Sequence, residues 1–157
     1  MEHPQATADR TALAVMLALR EAGHTISVPC GKNTRYDLIA DDGERLLRVQ
    51  CQTGRLRDGA VVFRPSSSYA HHASPRAARR RYDGQIDYFG VYCLDSGVVH
   101  LVPIEDVTTT WMAMLRVEPA RNGRQKRIRL AADYEIGTVE VPRLFVTRAL
   151  RASSGAR

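Results

Sequence analysis

Lysine is almost missing from this chain. Lys32 and Lys126 are the only two in 157 residues, so nearly all of the 23 basic side chains are arginine. A composition that writes arginine by habit weakens any argument from arginine count, and leaves only the clustering to carry meaning. Cysteine is scarce as well. Cys30, Cys51 and Cys93 are odd in number, widely spaced and form no Cys-x-x-Cys pair. That argues against a disulfide framework and against a zinc site completed by His71 and His72; the three read as free thiols, mostly buried. Aromatic residues make up only 6%, and Tyr36, Tyr88 and Phe89 sit in apolar, strand-like runs that fit a core better than a base-stacking platform. No apolar run approaches the roughly 20 residues a membrane-spanning helix needs. The first five residues, Met1-Glu2-His3-Pro4-Gln5, lack the basic and apolar regions of a signal peptide, so the expected location is cytoplasmic.

What is present is positive charge, unevenly placed. The formal net charge is +6. Residues 45–81 hold nine arginines against the single acid Asp58, a net of +8 for that segment. A second run, Arg121, Arg124, Lys126, Arg127 and Arg129, contains no acid. Composition explains the choice of arginine but not this grouping, which favours a polyanionic partner such as nucleic acid.

At this length the chain is expected to form a single domain over residues 1–150, with residues 151–157 a disordered tail. Thr7 is a fair helix cap, the Ala-, Leu- and Met-rich residues 8–22 give a helical apolar face, and Gly23 closes it. Residues 25–29, 36–40 and 46–53 read as strands, the last two joined by a turn at Asp42-Gly43. A further strand is expected over 61–64, then a polar loop over 65–81 long enough to be functional. Residues 86–93 and 98–102 form a hairpin about Asp95-Ser96-Gly97. A helix start is read at 103–107, weaker strands or short helices at 112–117 and 126–130, and a terminal helix at 144–150. Helix first, then strands with polar residues gathered near the second and third, is the opening of an α/β mixed sheet.

The chemistry concentrates in Arg35-Tyr36-Asp37-Leu38 and Arg48-Val49-Gln50-Cys51-Gln52-Thr53. Alternation puts Gln50 and Gln52 on the face opposite Cys51, and the hairpin brings Asp37 toward that face if its register is regular. Taken alone, an aspartate before a turn is commonly turn chemistry, and two glutamines on one face can be the solvated side of a half-buried strand.

These segments, with Gly31 to Arg35, Ile86-Asp87-Tyr88-Phe89-Gly90-Val91-Tyr92-Cys93, Leu101-Val102-Pro103, Arg116 to Pro119, Arg121 to Gln125 and Ala132 to Glu135, resemble the PD-(D/E)XK endonucleases associated with group I introns, a homing-endonuclease-type family. The resemblance implies a restriction-endonuclease-like α/β core, a mixed central sheet flanked by helices. It implies Asp37 as the metal-binding acid and Gln50 at the position where this family uses glutamine. The motif's lysine falls on Gln52, and the glutamate often found on the first helix falls on Ala12, so two of four groups are retained.

Phosphodiester hydrolysis needs a hard divalent cation, an in-line water and charge stabilisation at the phosphorane. The candidate catalytic residues are Asp37, Gln50 and Gln52. Mg²⁺ or Mn²⁺ would take oxygen from Asp37, Gln50 and the Cys51 carbonyl, and Arg35 or Arg48 are candidates to replace the missing lysine charge. Candidate DNA contacts are Arg35, Arg48, Arg55, Arg57, Arg76, Arg79, Arg80 and Arg81, with His71 and His72 as loop residues facing solvent or phosphate. The expected function is double-stranded DNA binding on a nuclease scaffold whose site is weakened or lost. The first rival is an active Mg²⁺-dependent site-specific endonuclease; the second is an interaction protein whose arginines are only compositional. The resemblance also implies a homo-oligomer, with residues 87–102 a candidate interface, and no membrane partner.

Overall fold

The computed structural model describes residues 3–31, 33–66, 82–119 and 128–140. The expected terminal helix at 144–150, the tail, most of the 65–81 loop, and Arg121, Arg124, Lys126 and Arg127 lie outside the described residues.

Helix α1 runs Pro4–Glu21, one turn earlier than the Thr7 cap suggested. Proline at the first helical position needs no N–H partner there and arrives with helical φ. The His3 ring Nδ1 accepts from the Gln5 N–H at 3.2 Å, so histidine takes the capping role. The C-terminus matches expectation: Gly23 has φ +96°, its N–H donates to Arg20, and the next N–H, of His24, donates to Leu19. This paired closure uses the left-handed conformation that glycine adopts cheaply.

Among the described residues eight strands follow: β1 (Thr25–Ser27), β2 (Leu38–Asp41), β3 (Leu46–Arg57), β4 (Ala60–Phe63), β5 (Tyr88–Cys93), β6 (Val98–Pro103), β7 (Ala113–Arg116) and β8 (Glu135–Thr138). The main sheet has the order β1-β2-β3-β5-β6-β8. Only β3 and β5 pair in parallel; the other neighbours are antiparallel, so the sheet is mixed as expected. The expected helix at 103–107 is a single 3₁₀ turn, Ile104–Asp106.

α1 packs on one face of this sheet, burying Ala14, Val15, Ala18 and Leu19 against Leu38, Ala40, Leu47, Val49 and Val99. The approach is close. A Cβ added at Gly90 on β5 would stand 2.6 Å from Val15 Cγ1, so glycine there is what lets the helix settle. The opposite face is filled by Phe63, Tyr82, Ile86, Phe89, Val91, Val102 and Leu115.

β3 is the element that organises the rest. At 12 residues it pairs first with β2, through Leu38↔Val49, then with β5 over Val49 to Gly54, and finally with β4 over Arg55 to Arg57. Its β2-facing edge therefore has no strand neighbour between Val49 and Arg55. β4 then pairs with β7, making a three-stranded antiparallel ribbon that curls off the main sheet. The 87–102 hairpin lies between β3 and β8, with Phe89, Val91, Tyr92, Cys93, Val99 and Val102 buried.

Candidate functional site

The unpaired edge of β3 opens a cleft of about 490 Å³. One wall is α1, contributing Gln5, Ala8, Asp9, Thr11 and Ala12; the other is β4 and its surroundings, with Val62, Phe63, Arg64 and Met112. Asp37, Gln50, Cys51, Gln52, Thr53, Arg55 and Arg57 line it between those walls. The Thr11 and Thr53 hydroxyls share a 2.6 Å hydrogen bond that ties helix to strand beside the cleft.

Backbone direction explains the arrangement. Asp37 lies one step before the last β2–β3 ladder pair, Leu38↔Val49, which places it opposite Gln50. Its N–H donates to the Val49 carbonyl at 2.9 Å, and the Cys51 N–H donates to Asp37 Oδ2 at 2.7 Å. The Arg48 carbonyl meanwhile accepts from Asp87 on the β5 side. Backbone groups alternate sides along a strand, so the Cys51 carbonyl faces the same side as its N–H, toward Asp37 and past the end of β2. Asp37, Gln50, Gln52 and this carbonyl thus converge on one opening.

The arginines divide into two groups. Arg55 and Arg57 line the cleft and are exposed, and Arg64, not singled out by sequence, joins them. Arg35 and Arg48 do not line it. The Arg35 guanidinium lies 4.0 Å over the Tyr82 ring and its Nε donates to Gln85 Oε1 at 2.5 Å. Arg48 donates to Asp87 from its backbone N–H (2.7 Å), Nε (3.1 Å) and Nη2 (3.1 Å), and from Nη1 to the Gly84 carbonyl. Asp87 is held below the usual carboxylate range, chiefly by the Arg48 side-chain hydrogen bonds. A depressed carboxylate stabilises the fold at pH above its unfolded value and loses that contribution as pH falls through its folded value. Asp87→Asn is therefore expected to cost about 1 kcal/mol at pH 7, the upper range for a solvent-screened pair, with the difference vanishing in acid; urea unfolding across pH measures it. Arg76, Arg79, Arg80, Arg81, His71 and His72 lie outside the described residues.

Ala12 does face the cleft, at the place where the helix acid was expected, and offers no ligand. One carboxylate on the same helix escaped the sequence reading. Asp9 lies three residues before Ala12, hence on the same face, and lines the cleft with its Oδ1 accepting from Gln5 Nε2 at 2.8 Å. Helical spacing from residue 12 was the signal that could have found it.

Among the described residues no three His, Cys, Asp or Glu side chains gather as metal ligands. The donors present fit a hard cation held loosely, since Mg²⁺ commonly takes one or two carboxylates together with substrate phosphate and water. Asp37 would give the carboxylate, with neutral oxygens from Gln50 and the Cys51 carbonyl. Burial and then the Asp37 charge push the Cys51 thiol far above its ordinary value, and a hard cation takes oxygen rather than sulfur.

Asp37 is exposed at the cleft mouth, yet the walls strip water from its carboxylate, raising its pKa above the ordinary value against a smaller lowering by the Cys51 N–H. Because the residue keeps open surface, this is a modest bias rather than a large stored energy. The sign is that of a raised acid: the fold is favoured below the unfolded pKa of about 3.9 and loses that advantage as pH rises through the folded value. Asp37→Asn should accordingly raise the melting temperature at pH 7 and match wild type below about pH 4. A lower melting temperature at pH 7 would contradict that environment.

Residues 2–137 match the protein family described as PD-(D/E)XK endonuclease. The fold is similar to that of a bacterial homing endonuclease, I-Ssp6803I, with a TM-score of 0.68 at 16% identity over 98% of each chain. No curated protein matches in sequence.

Proposed function

Because the chain belongs to the PD-(D/E)XK endonuclease family, with a restriction-endonuclease-like α/β fold, we propose that it binds double-stranded DNA across the Asp37 cleft, with phosphodiester cleavage weakened or lost. The observation that carries this reading is the cleft's lining: Arg55, Arg57 and Arg64 stand beside Asp37 and Gln50, while Gln52 and Ala12 occupy the two positions where charge is missing.

Each side chain has a distinct task. Arg55 and Arg57 neutralise phosphates, which supplies affinity that falls steeply with salt. Asp37, Gln50 and the Cys51 carbonyl would hold Mg²⁺ or Mn²⁺, and such an ion supplies charge stabilisation at phosphorus and an activated water. The Gln52 amide can donate a hydrogen bond to a phosphate oxygen but brings no positive charge. Loss of one such stabilising group typically costs on the order of 3–4 kcal/mol in the transition state. Asp9 adds negative charge at the helix wall, the observation that most favours the rival reading of residual endonuclease activity. None of the described helices is long and apolar enough to cross a membrane. A homo-oligomer is part of the proposal, since long recognition sites are read by assembled copies.

Fluorescence anisotropy with a duplex at rising salt, run beside a cleavage gel in Mn²⁺, tests this. The proposal expects salt-sensitive binding with little or no cutting. Absence of binding at low salt would remove it and leave the arginines as compositional. Cutting at a rate typical of nucleases would support the active-enzyme rival instead.

A further inference from the structure

The β3–β4–β7 ribbon has an outward face whose composition the cleft alone does not explain. Its register fixes the rows. Arg55 lies opposite Val62, which lies opposite Met114; Arg57 lies opposite Ala60, which lies opposite Arg116. Two residues further along the same faces come Arg64 and Met112. The alternate positions, Val61, Phe63, Ala113 and Leu115, are buried in the core; in the rows just named Ala60 and Val62 of the middle strand are buried as well, and Arg55, Arg57, Arg64, Met112 and Met114 are exposed.

This face carries four arginines, two methionines and two small apolar residues, and none of those positions is acidic. Met112 and Met114 are 45% and 50% exposed, unusual for flexible apolar side chains unless they meet a partner. Arg57 and Arg64 have no hydrogen bond or ion pair among the described residues. Arg55 has only Asp95 at 3.8 Å, an exposed contact that a phosphate can displace. Arg116 is occupied in holding the ribbon tip, donating to the Asp58 and Glu118 carbonyls at 3.1 and 3.3 Å. The tip itself, Asp58-Gly59 with φ +49° and +72°, is a two-residue turn that keeps the ribbon narrow.

We propose that this face is the base-reading surface of the protein: it enters the DNA major groove, where Arg64 reaches base edges and Met112 and Met114 contact thymine methyl groups. The inference rests on the DNA-binding reading above and specifies where sequence is read. A major groove roughly 12 Å wide admits a two-stranded ribbon, here the β4–β7 pair about 4.8 Å apart, with Arg55 and Arg57 of β3 left at the rim beside the phosphates. Guanine presents two acceptors to an arginine there, and thymine presents an apolar methyl. Arg55, Arg57, Arg64, Val62 and Met112 also line the cleft, so a duplex seated on the ribbon continues directly over Asp37. A mixed arginine and methionine surface fits a groove edge better than a second copy of the chain, since two such faces would oppose like charges.

Selection from a randomised duplex library by wild type, Arg64→Gln and Met114→Gln, each checked for folding by circular dichroism, tests the assignment. Wild type is expected to enrich a motif. Each variant should lose about tenfold discrimination at one or two positions of it while still binding mixed-sequence DNA at low salt. Deoxyuridine in place of a selected thymine should weaken wild type but not Met114→Gln. Motifs unchanged in both variants, with binding intact, would overturn the assignment and leave the DNA-binding reading standing. So would a variant that alters self-association in sedimentation while keeping its motif, which would make the face an interface between copies. No binding by wild type at all would remove both proposals together.

Discussion

Lysine in place of Gln52 is expected to raise Mg²⁺-dependent cleavage of duplex DNA by about 10²-fold, the scale on which one preorganised charge or donor acts at a developing phosphorane. The argument is positional. Gln52 lies two residues beyond Gln50 on the same strand and lines the same cleft as Asp37. A lysine ammonium at that point would add the positive charge that an amide cannot. No described arginine already fills the role from Arg35 or Arg48, because one is engaged with Tyr82 and Gln85 and the other with Asp87 and Gly84. Single-turnover nicking of a supercoiled plasmid measures the gain. Adding Ala12→Glu should increase it further by giving the cation a second close carboxylate. Asp37→Asn in the lysine background should return the rate to background. If neither the single nor the double variant gains activity while both still bind DNA, the cleft is not a weakened nuclease site.

The second large effect concerns affinity. The double substitution Arg55→Glu with Arg57→Glu is expected to weaken duplex binding by about 10²- to 10³-fold near physiological salt. Two lost phosphate contacts should also flatten the slope of log affinity against log salt by about 1.8, at about 0.9 per contact. Both side chains are exposed and both line the cleft, so the change acts on binding rather than on the core. Arg48→Ala provides the contrast. With its guanidinium committed to Asp87, it should lower stability and leave the salt slope unchanged, whereas an equal loss of slope would place DNA on that side of the sheet.

The fold and the centre of the site were legible wherever local rules decide. Alternation in 46–53 and the Asp42-Gly43 turn gave the hairpin, and the ladder pair Leu38↔Val49 sets Asp37 opposite Gln50. The expected end of β3 at Thr53 was too early. Gly54 reads as a strand breaker, but a Cβ there would lie 2.9 Å from Val61 Cγ1 and 3.0 Å from Val91 Cγ1; the glycine marks where neighbouring chains crowd the strand, which continues to Arg57. β8 went unread because four residues gain strand form only from their distant partner β6. The split among the arginines was equally hidden. Asp87 lies 39 residues from Arg48, and no spacing rule links them, although their contact removes Arg48 from the charged cleft. Asp9 was accessible in principle, since helical periodicity sets it beside Ala12.

A DNA-binding nuclease scaffold with weakened chemistry would leave its mark on the duplexes it retains after incubation with Mn²⁺, and sequencing both their interiors and their ends reads it. Enriched motifs whose ends remain intact are the predicted result. Ends clustered at a fixed offset inside the motif would contradict it, showing that Asp37, Gln50 and Gln52 still cut.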